Sequence, residues 1–368
     1  MKNLLRSKKF IFSLAFSMFL PMAGMMLPLA HAELAETVEP AHFADEQAMY
    51  IPDEVSAVYI GLETKGAKIL EKRPVFSPKG ERLYYAVKGV IVPVDPQAEN
   101  IEFQVNLPAD WNHKMVQFGG GAFDGTLVTA DGHAIGEDAA EPTPLMRGYV
   151  TYGSDGGHKG GVWDSGWALN DEALRNFAHE QVKKTHDVAL YLTKQFYGRE
   201  PEKSYFIGGS NGGREGLKAL QEYPADYDGV VAFYPVLNWV PKAIKDHENA
   251  LAVWQNFGKG WFSEADYNLV KNAVLEITDK LDGREDGLIG NVNKADDRKA
   301  EIIKKLHGNL NDSQLKVLTA FWTKRDFTIP LKSNLHTLPG YSVSQWLIDQ
   351  GDPFGYNQFG SEKGKRDG

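Results

Sequence analysis

Residues Gly208-Gly209-Ser210-Asn211-Gly212 form a G-x-S-x-G run, with the apolar, strand-like stretch 204–207 directly before it and a helix-like stretch, 213–222, directly after. A strand that passes into a helix through one serine needs a turn so sharp that the Oγ projects from the end of a sheet. Such a turn crowds the backbone on both sides, and glycine tolerates the crowding because it has no Cβ. Gly208, Gly209, Gly212 and Gly213 supply that room. The competing reading is a glycine-rich turn with an incidental serine; the strand and helix flanks favour the sharp elbow.

Around this run, short apolar stretches alternate with polar turns and helix-like stretches, which predicts an α/β fold. The expected core strands are 86–92, 101–107, 115–118, 148–152, 204–207 and 229–233, and the spacing predicts one long helix over 171–196. Beyond about residue 240 the pattern turns to amphipathic helices, 264–275 and 300–306, joined by charged connections. A core with a cap or lid is therefore expected: a core over 33–240 and a lid over 241–368. With 42% hydrophobic residues the chain carries enough apolar side chain for a large core.

The N-terminus reads as an export signal. Lys2, Arg6, Lys8 and Lys9 precede an apolar stretch, 10–30, and Ala30-His31-Ala32 is an A-x-A cleavage site. The expectation is a signal peptide over 1–32, removal after Ala32, and a periplasmic or secreted protein without a membrane anchor. The chain contains no cysteine, so disulfides are excluded as a source of stability in that compartment. Its net charge of −9 becomes more negative when the four basic signal residues are lost, which argues against nucleic acid as a partner.

The run 206–217, followed by Tyr223-Pro224-Ala225-Asp226-Tyr227-Asp228-Gly229, resembles the signature of the tannase and feruloyl esterase family of α/β-hydrolases. Three more blocks match in order: Gly119-Gly120-Gly121-Ala122-Phe123-Asp124-Gly125, then Gly148-Tyr149 through Ser154-Asp155-Gly156-Gly157-His158, then 281–289. The resemblance covers residue 50 onward. It implies an α/β-hydrolase fold with the lid inserted after the nucleophile half of the core. It also implies a serine esterase acting on small esters of aromatic acids, such as gallate, ferulate or terephthalate, through an acyl-enzyme on Ser210. The oxyanion donors would be the backbone N–H of Asn211 and that of Gly121 or its neighbour Ala122. Trp163, Trp167, Trp254, Trp261 and Trp322 are candidates for an aromatic wall, and Arg214 for orienting local carbonyls.

The family resemblance further implies a calcium loop, with Asp279, Asp282 and Asp286 as carboxylate ligands and Arg284 and Leu288 as carbonyl ligands. Hard oxygen donors within ten residues, with Gly283 and Gly287 to curl the loop, suit Ca²⁺, although the spacing is not that of an EF-hand. Two departures stand out. Gly209 occupies the position where the family commonly has a cysteine, disulfide-linked to one beyond the catalytic histidine, so this chain is a cysteine-free variant. No stretch after residue 330 resembles the closing strands that carry the triad acid and histidine, which are expected beyond Gly368. His158 is expected in a structural or supporting role. The alternative function is an exported binding protein that keeps the scaffold and lacks the acid–base pair.

Overall fold

In the computed structural model, residues 50–161, 164–327 and 335–344 are described. The expected signal peptide and Trp163 lie outside them. Eight strands form one mixed sheet: β1 (Glu54–Val55), β2 (Ala67–Phe76), β3 (Arg82–Ile91), β4 (Ile101–Pro108), β5 (Lys114–Phe118), β6 (Val150–Ser154), β7 (Lys203–Gly209) and β8 (Gly229–Phe233), in the order β1-β2-β3-β4-β6-β5-β7-β8. The first four strands run antiparallel, β4 pairs antiparallel with β6, and β6, β5, β7 and β8 run parallel. The parallel strands therefore all end at one edge, where ligands bind in open α/β sheets.

Two of these strands escaped the sequence reading. β1 has only two residues, and β2 is mostly exposed, charged along its length and interrupted by Pro74. Because β1 pairs only with Ala67 and Lys68, Pro74 lies on the free outer edge of β2, where a missing N–H costs no ladder bond.

The expected long helix is not continuous. It divides into α1 (Asp171–Arg175), a π-helical turn (Asn176–Glu180) and α2 (Gln181–Tyr197). Asn170 caps α1 by accepting the N–H of Ala173, and α2 ends at Gly198 in the left-handed conformation. The buried face of α2, Val188, Ala189, Leu192 and Phe196, packs on Phe103, Val105, Leu107, Met115 and Tyr152 of the sheet. The elbow helix α3 (Asn211–Glu222) buries Ala219 against Phe206, Val182 and Tyr227.

After β8 the chain is helical: α4 (Trp239–Gly258), broken by non-helical residues at Gln255, Asn256 and Phe257, then α5 (Glu264–Thr278), α6 (Val292–Asp296), α7 (Lys299–Leu306) and α8 (Asp312–Trp322). α5 opens with a capping box between Ser263 and Asp266, and α8 with one between Asn311 and Gln314. These helices bury a hydrophobic cluster of their own, including Val270, Val274, Ile302, Leu306, Val317, Leu318 and Phe321. A two-stranded ribbon, β9 (Arg325–Asp326) and β10 (Thr337–Leu338), follows.

Candidate active site

Ser210 stands between the end of β7 and the start of α3 with φ 56° and ψ −117°. A non-glycine residue in that region is strained by about 1–3 kcal/mol, a cost the surrounding structure must hold in place. Three backbone bonds do so: Ser210 N–H donates to the Phe233 carbonyl at 3.1 Å, and the Ser210 carbonyl accepts from Arg214 and Val236, each at 3.1 Å. Glycine is required where the chain crosses itself. A Cβ on Gly208 would meet the Gly212 carbonyl at 2.5 Å, and one on Gly213 would meet the Phe233 oxygen at 2.6 Å.

The glycine turn after β5 lies against this elbow because β5 and β7 are neighbours, with Phe118 opposite Ile207. Gly119 N–H donates to the Ile207 carbonyl at 2.9 Å, and Gly212 N–H donates to the Gly120 carbonyl at 3.0 Å. A Cβ on Gly212 would stand 2.8 Å from that same oxygen. Asn211 begins α3, so its N–H belongs to the first turn, whose donors have no partner within the helix. Gly120 N–H is taken by the Glu215 carboxylate at 3.0 Å. Within the turn, that leaves Gly121, which is exposed with open space beside it, and Ala122, which has φ 53°.

Behind the turn is a buried polar cluster that the sequence reading missed. Asp124 Oδ1 accepts from Asn211 Nδ2 at 2.9 Å, and Glu215 Oε1 accepts from Gln181 Nε2 at 3.0 Å and from Asn211 Nδ2 at 3.3 Å. Arg214 Nε donates to Asn211 Oδ1 at 2.7 Å. The other guanidinium nitrogens donate to the carbonyls of Ala178 and Phe177, each at 2.9 Å, so Arg214 binds main-chain oxygens of the π-helical turn. Its plane also lies over Phe177 (4.6 Å) and Trp239 (5.6 Å). The available signal for Asp124 and Glu215 was an acidic residue within each glycine-rich block; nothing in the spacing showed that the two would meet.

The histidines of the core are engaged elsewhere. His158 Nε2 lies 2.6 Å from the Phe123 carbonyl, which can only accept, so that nitrogen carries the proton. The ring stacks on Trp167 at 4.0 Å, and burial pushes its pKa below the usual value. His179 Nδ1 pairs with the Tyr223 hydroxyl at 2.6 Å, and His186 Nδ1 with that of Tyr152 at 2.7 Å. His186, Asp187 and Asp226 gather their ligand atoms within 4.8 Å, and the Lys183 ammonium bridges the two carboxylates at 2.7 and 2.9 Å, taking the place a cation would occupy between them and offsetting one of the two charges.

Of the tryptophans, Trp167 joins Phe177 (4.7 Å), which meets Phe123 (6.4 Å) and Trp239 (5.4 Å). Trp322 is buried in the cluster of the later helices, where Trp261 also packs; Trp254 lies 5.9 Å from Trp261. These three belong to that helical layer, and Trp239 is the aromatic residue the reading overlooked.

In the 279–288 loop each aspartate accepts backbone N–H groups: Asp279 from Asp286 and Gly287, Asp282 from Arg284 and Gly290, and Asp286 from Leu288. Gly283 and Gly287 take positive φ, 99° and 79°, and let the loop curl. Those N–H bonds hold the Asp282 carboxyl below its usual pKa and keep it anionic. By chemistry, three carboxylates and two main-chain carbonyls suit a hard cation, but the aspartates are turned onto backbone N–H groups and are not gathered here: among the described residues the group of acidic or histidine ligand atoms within 4.8 Å of one another is His186, Asp187 and Asp226.

A family model described as tannase and feruloyl esterase matches residues 85–359. The chain belongs to the tannase and feruloyl esterase family. An esterase of Agrobacterium fabrum is 36% identical over 80% of this chain and 56% of its own length. A mono(2-hydroxyethyl) terephthalate hydrolase of Piscinibacter sakaiensis is 31% identical over 54% of the chain and 35% of its own. Feruloyl esterase C of Talaromyces stipitatus is 30% identical over 70% and 48%. The chain thus spans about half the length of the curated relatives it matches. The crystal structure of feruloyl esterase B from Aspergillus oryzae aligns with a TM-score of 0.58 at 20% identity, over 78% of this chain and 58% of that one. A second Aspergillus oryzae esterase aligns at 0.61 and 22% identity, over 81% and 60%. With these neighbours, the mixed sheet and its elbow are an α/β-hydrolase fold.

Proposed function

We propose that this chain carries the nucleophile half of a serine carboxylic-ester hydrolase for small esters of aromatic acids. The observation that carries the reading is the strained Ser210 backbone, locked to the glycine turn by the bond from Gly212 N–H to the Gly120 carbonyl. Ser210 Oγ attacks the ester carbonyl and gives up its proton, which the departing alkoxide takes on as it leaves, and the negative charge that develops on the carbonyl oxygen is met by the N–H of Asn211 and by that of Gly121 or Ala122. Preorganised donors of this kind are worth about 10²–10³ in rate each. Collapse of the intermediate expels the alcohol and leaves an acyl-enzyme. The triad acid and base are left unassigned: the histidines packed against the sheet, His158, His179 and His186, already hold other partners. That same observation supports the second reading, an exported binding protein on the hydrolase scaffold.

The aromatic substrate class is supported by the terephthalate- and feruloyl-ester relatives and by Phe123, Phe177 and Trp239, which gather beside Arg214. In this reading residues 241–368 act as the lid, residues 1–32 direct export, and Asp279, Asp282, Asp286, Arg284 and Leu288 hold a structural Ca²⁺ that would pin the lid's base. Rapid quenching with a feruloyl or terephthaloyl ester and mass spectrometry of the intact chain tests the chemistry. An acyl adduct on the Ser210 peptide, absent from Ser210→Ala, is expected; saturable binding without any adduct would favour the binding protein.

A further inference from the structure

Asp124 and Glu215 meet from two segments that the proposed chemistry must hold in register. Asp124 sits five residues after Gly119 in left-handed backbone, φ 60°, and its own N–H closes the turn onto the Gly121 carbonyl at 2.8 Å. Glu215 lies one helical turn after Asn211 and is 1% exposed, while Asp124 is 4% exposed. Between them they hold both donor segments: Glu215 takes Gly120 N–H, and both carboxylates take the Asn211 amide. The absent side chain of Gly120 makes the space, since a Cβ there would collide with Asp124 Oδ1; Gly156 similarly clears room, with a Cβ position 2.7 Å from that of Asp124.

The charge balance is incomplete. Asp124 and Glu215 share one nearby cation, Arg214, whose guanidinium is 4.0 Å from Glu215 and is spent mainly on carbonyls. The remaining titratable neighbours do not help: His158, from the segment after β6, is neutral, and Asp155 in that segment is paired with Lys159. Gln181 of α2 is uncharged. Asp124 Oδ2 is fully buried and meets no donor, and the carboxylates of Asp124 and Glu215 both lie against one amide nitrogen, Asn211 Nδ2, at 2.9 and 3.3 Å. A single proton held by this pair of buried carboxylates removes their mutual repulsion beside the one amide they share.

We propose that Asp124 and Glu215 share one proton and, as positioning residues, hold the Gly119–Gly121 turn and Asn211 at the spacing an oxyanion needs. The proposal rests on the reading of Ser210 as nucleophile. Burial and the Glu215 charge both push the Asp124 carboxyl well above its usual range. Loss of that proton places two charges behind the turn and loosens it.

The test is the second-order rate of fluorophosphonate labelling at Ser210 against pH, together with amide exchange at Gly120, on the full chain. Asp124→Asn keeps a residue that tolerates left-handed backbone and fixes a permanent donor toward Glu215. It should lower the neutral rate about threefold and abolish the extra alkaline loss that the proposal expects of the wild type. Glu215→Ala should slow labelling about 10- to 100-fold, and Glu215→Gln, which still accepts from Gly120, should recover most of it. Gly120 exchange should accelerate at alkaline pH in the wild type and not in Asp124→Asn. An unchanged alkaline limb in Asp124→Asn, or wild-type labelling of Glu215→Ala, would overturn the proposal. Should the wild type resist labelling altogether, the nucleophile reading fails by itself, and Gly120 exchange still decides the pair: identical pH dependence in wild type and Asp124→Asn would refute it.

Discussion

Ser210 pays for its position in backbone strain, and that strain gives a stability signature separate from chemistry. Ser210→Gly relieves the positive φ and should stabilise the fold by about 1 kcal/mol, after the larger entropy of the unfolded glycine chain is subtracted. A raised thermal midpoint with all labelling lost is the expected result. His186 carries a different signature. It is buried against Tyr152 and Tyr227, and burial holds its pKa down at about 4. Its folded value lies below the unfolded one, so the unfolded chain takes up the proton first as pH falls. The stabilisation is complete above about pH 6.5 and is lost toward pH 4, by up to about 3 kcal/mol. Urea unfolding at pH 7 and pH 4.5 should show the loss, and His186→Phe should flatten this part of the dependence. The elbow serine was legible because its motif requires local glycines. Asp124 and Glu215 were not, since their meeting depends on β5 and β7 becoming neighbours across 95 positions of chain between Gly120 and Glu215.

At the scale of elements, the junction of α3 with the glycine turn carries the tightest demand. Gly212→Ala places a methyl 2.8 Å from the Gly120 oxygen, so either the bond to Gly120 or the elbow must shift. Labelling of Ser210 should fall by at least about tenfold with the sheet intact by circular dichroism. The π-helical turn is the second such junction. Removing the guanidinium in Arg214→Ala deletes three hydrogen bonds at once, to the carbonyls of Phe177 and Ala178 and to the Asn211 amide oxygen, and should cost about 2–4 kcal/mol. Arg214→Lys should recover little, because an ammonium cannot reproduce the planar fork. Helix periodicity revealed the segment 171–196 but not its π turn, two of whose carbonyls are bound by Arg214 from another helix. The parallel strands were legible as apolar runs; β2 was hidden because exposure on a sheet's outer part removes that signal.

Across the whole molecule, an eight-stranded sheet delivers Ser210, the glycine turn and the Asp155–His158 segment to one edge, and helices α4 to α8 follow with their own hydrophobic cluster. Ordered glycine-rich blocks made that sheet edge readable in advance, whereas the aromatic wall depended on which tryptophans the helical layer keeps for its core. For the 279–288 loop, calcium that binds only the folded state should raise stability by about 3 kcal/mol at a hundredfold excess over Kd. Melting with calcium and with chelator should give a lower midpoint in chelator, and equal midpoints would remove the ion from the account. The central claim is that the strained serine is a working nucleophile. Intact-mass kinetics with a fluorophosphonate, comparing the wild-type chain with Ser210→Ala, addresses it most directly. A single adduct that forms on the wild type, maps to Ser210 and is absent from the variant is the expected result; a folded wild-type chain that stays unlabelled, or a variant labelled equally fast, would contradict it.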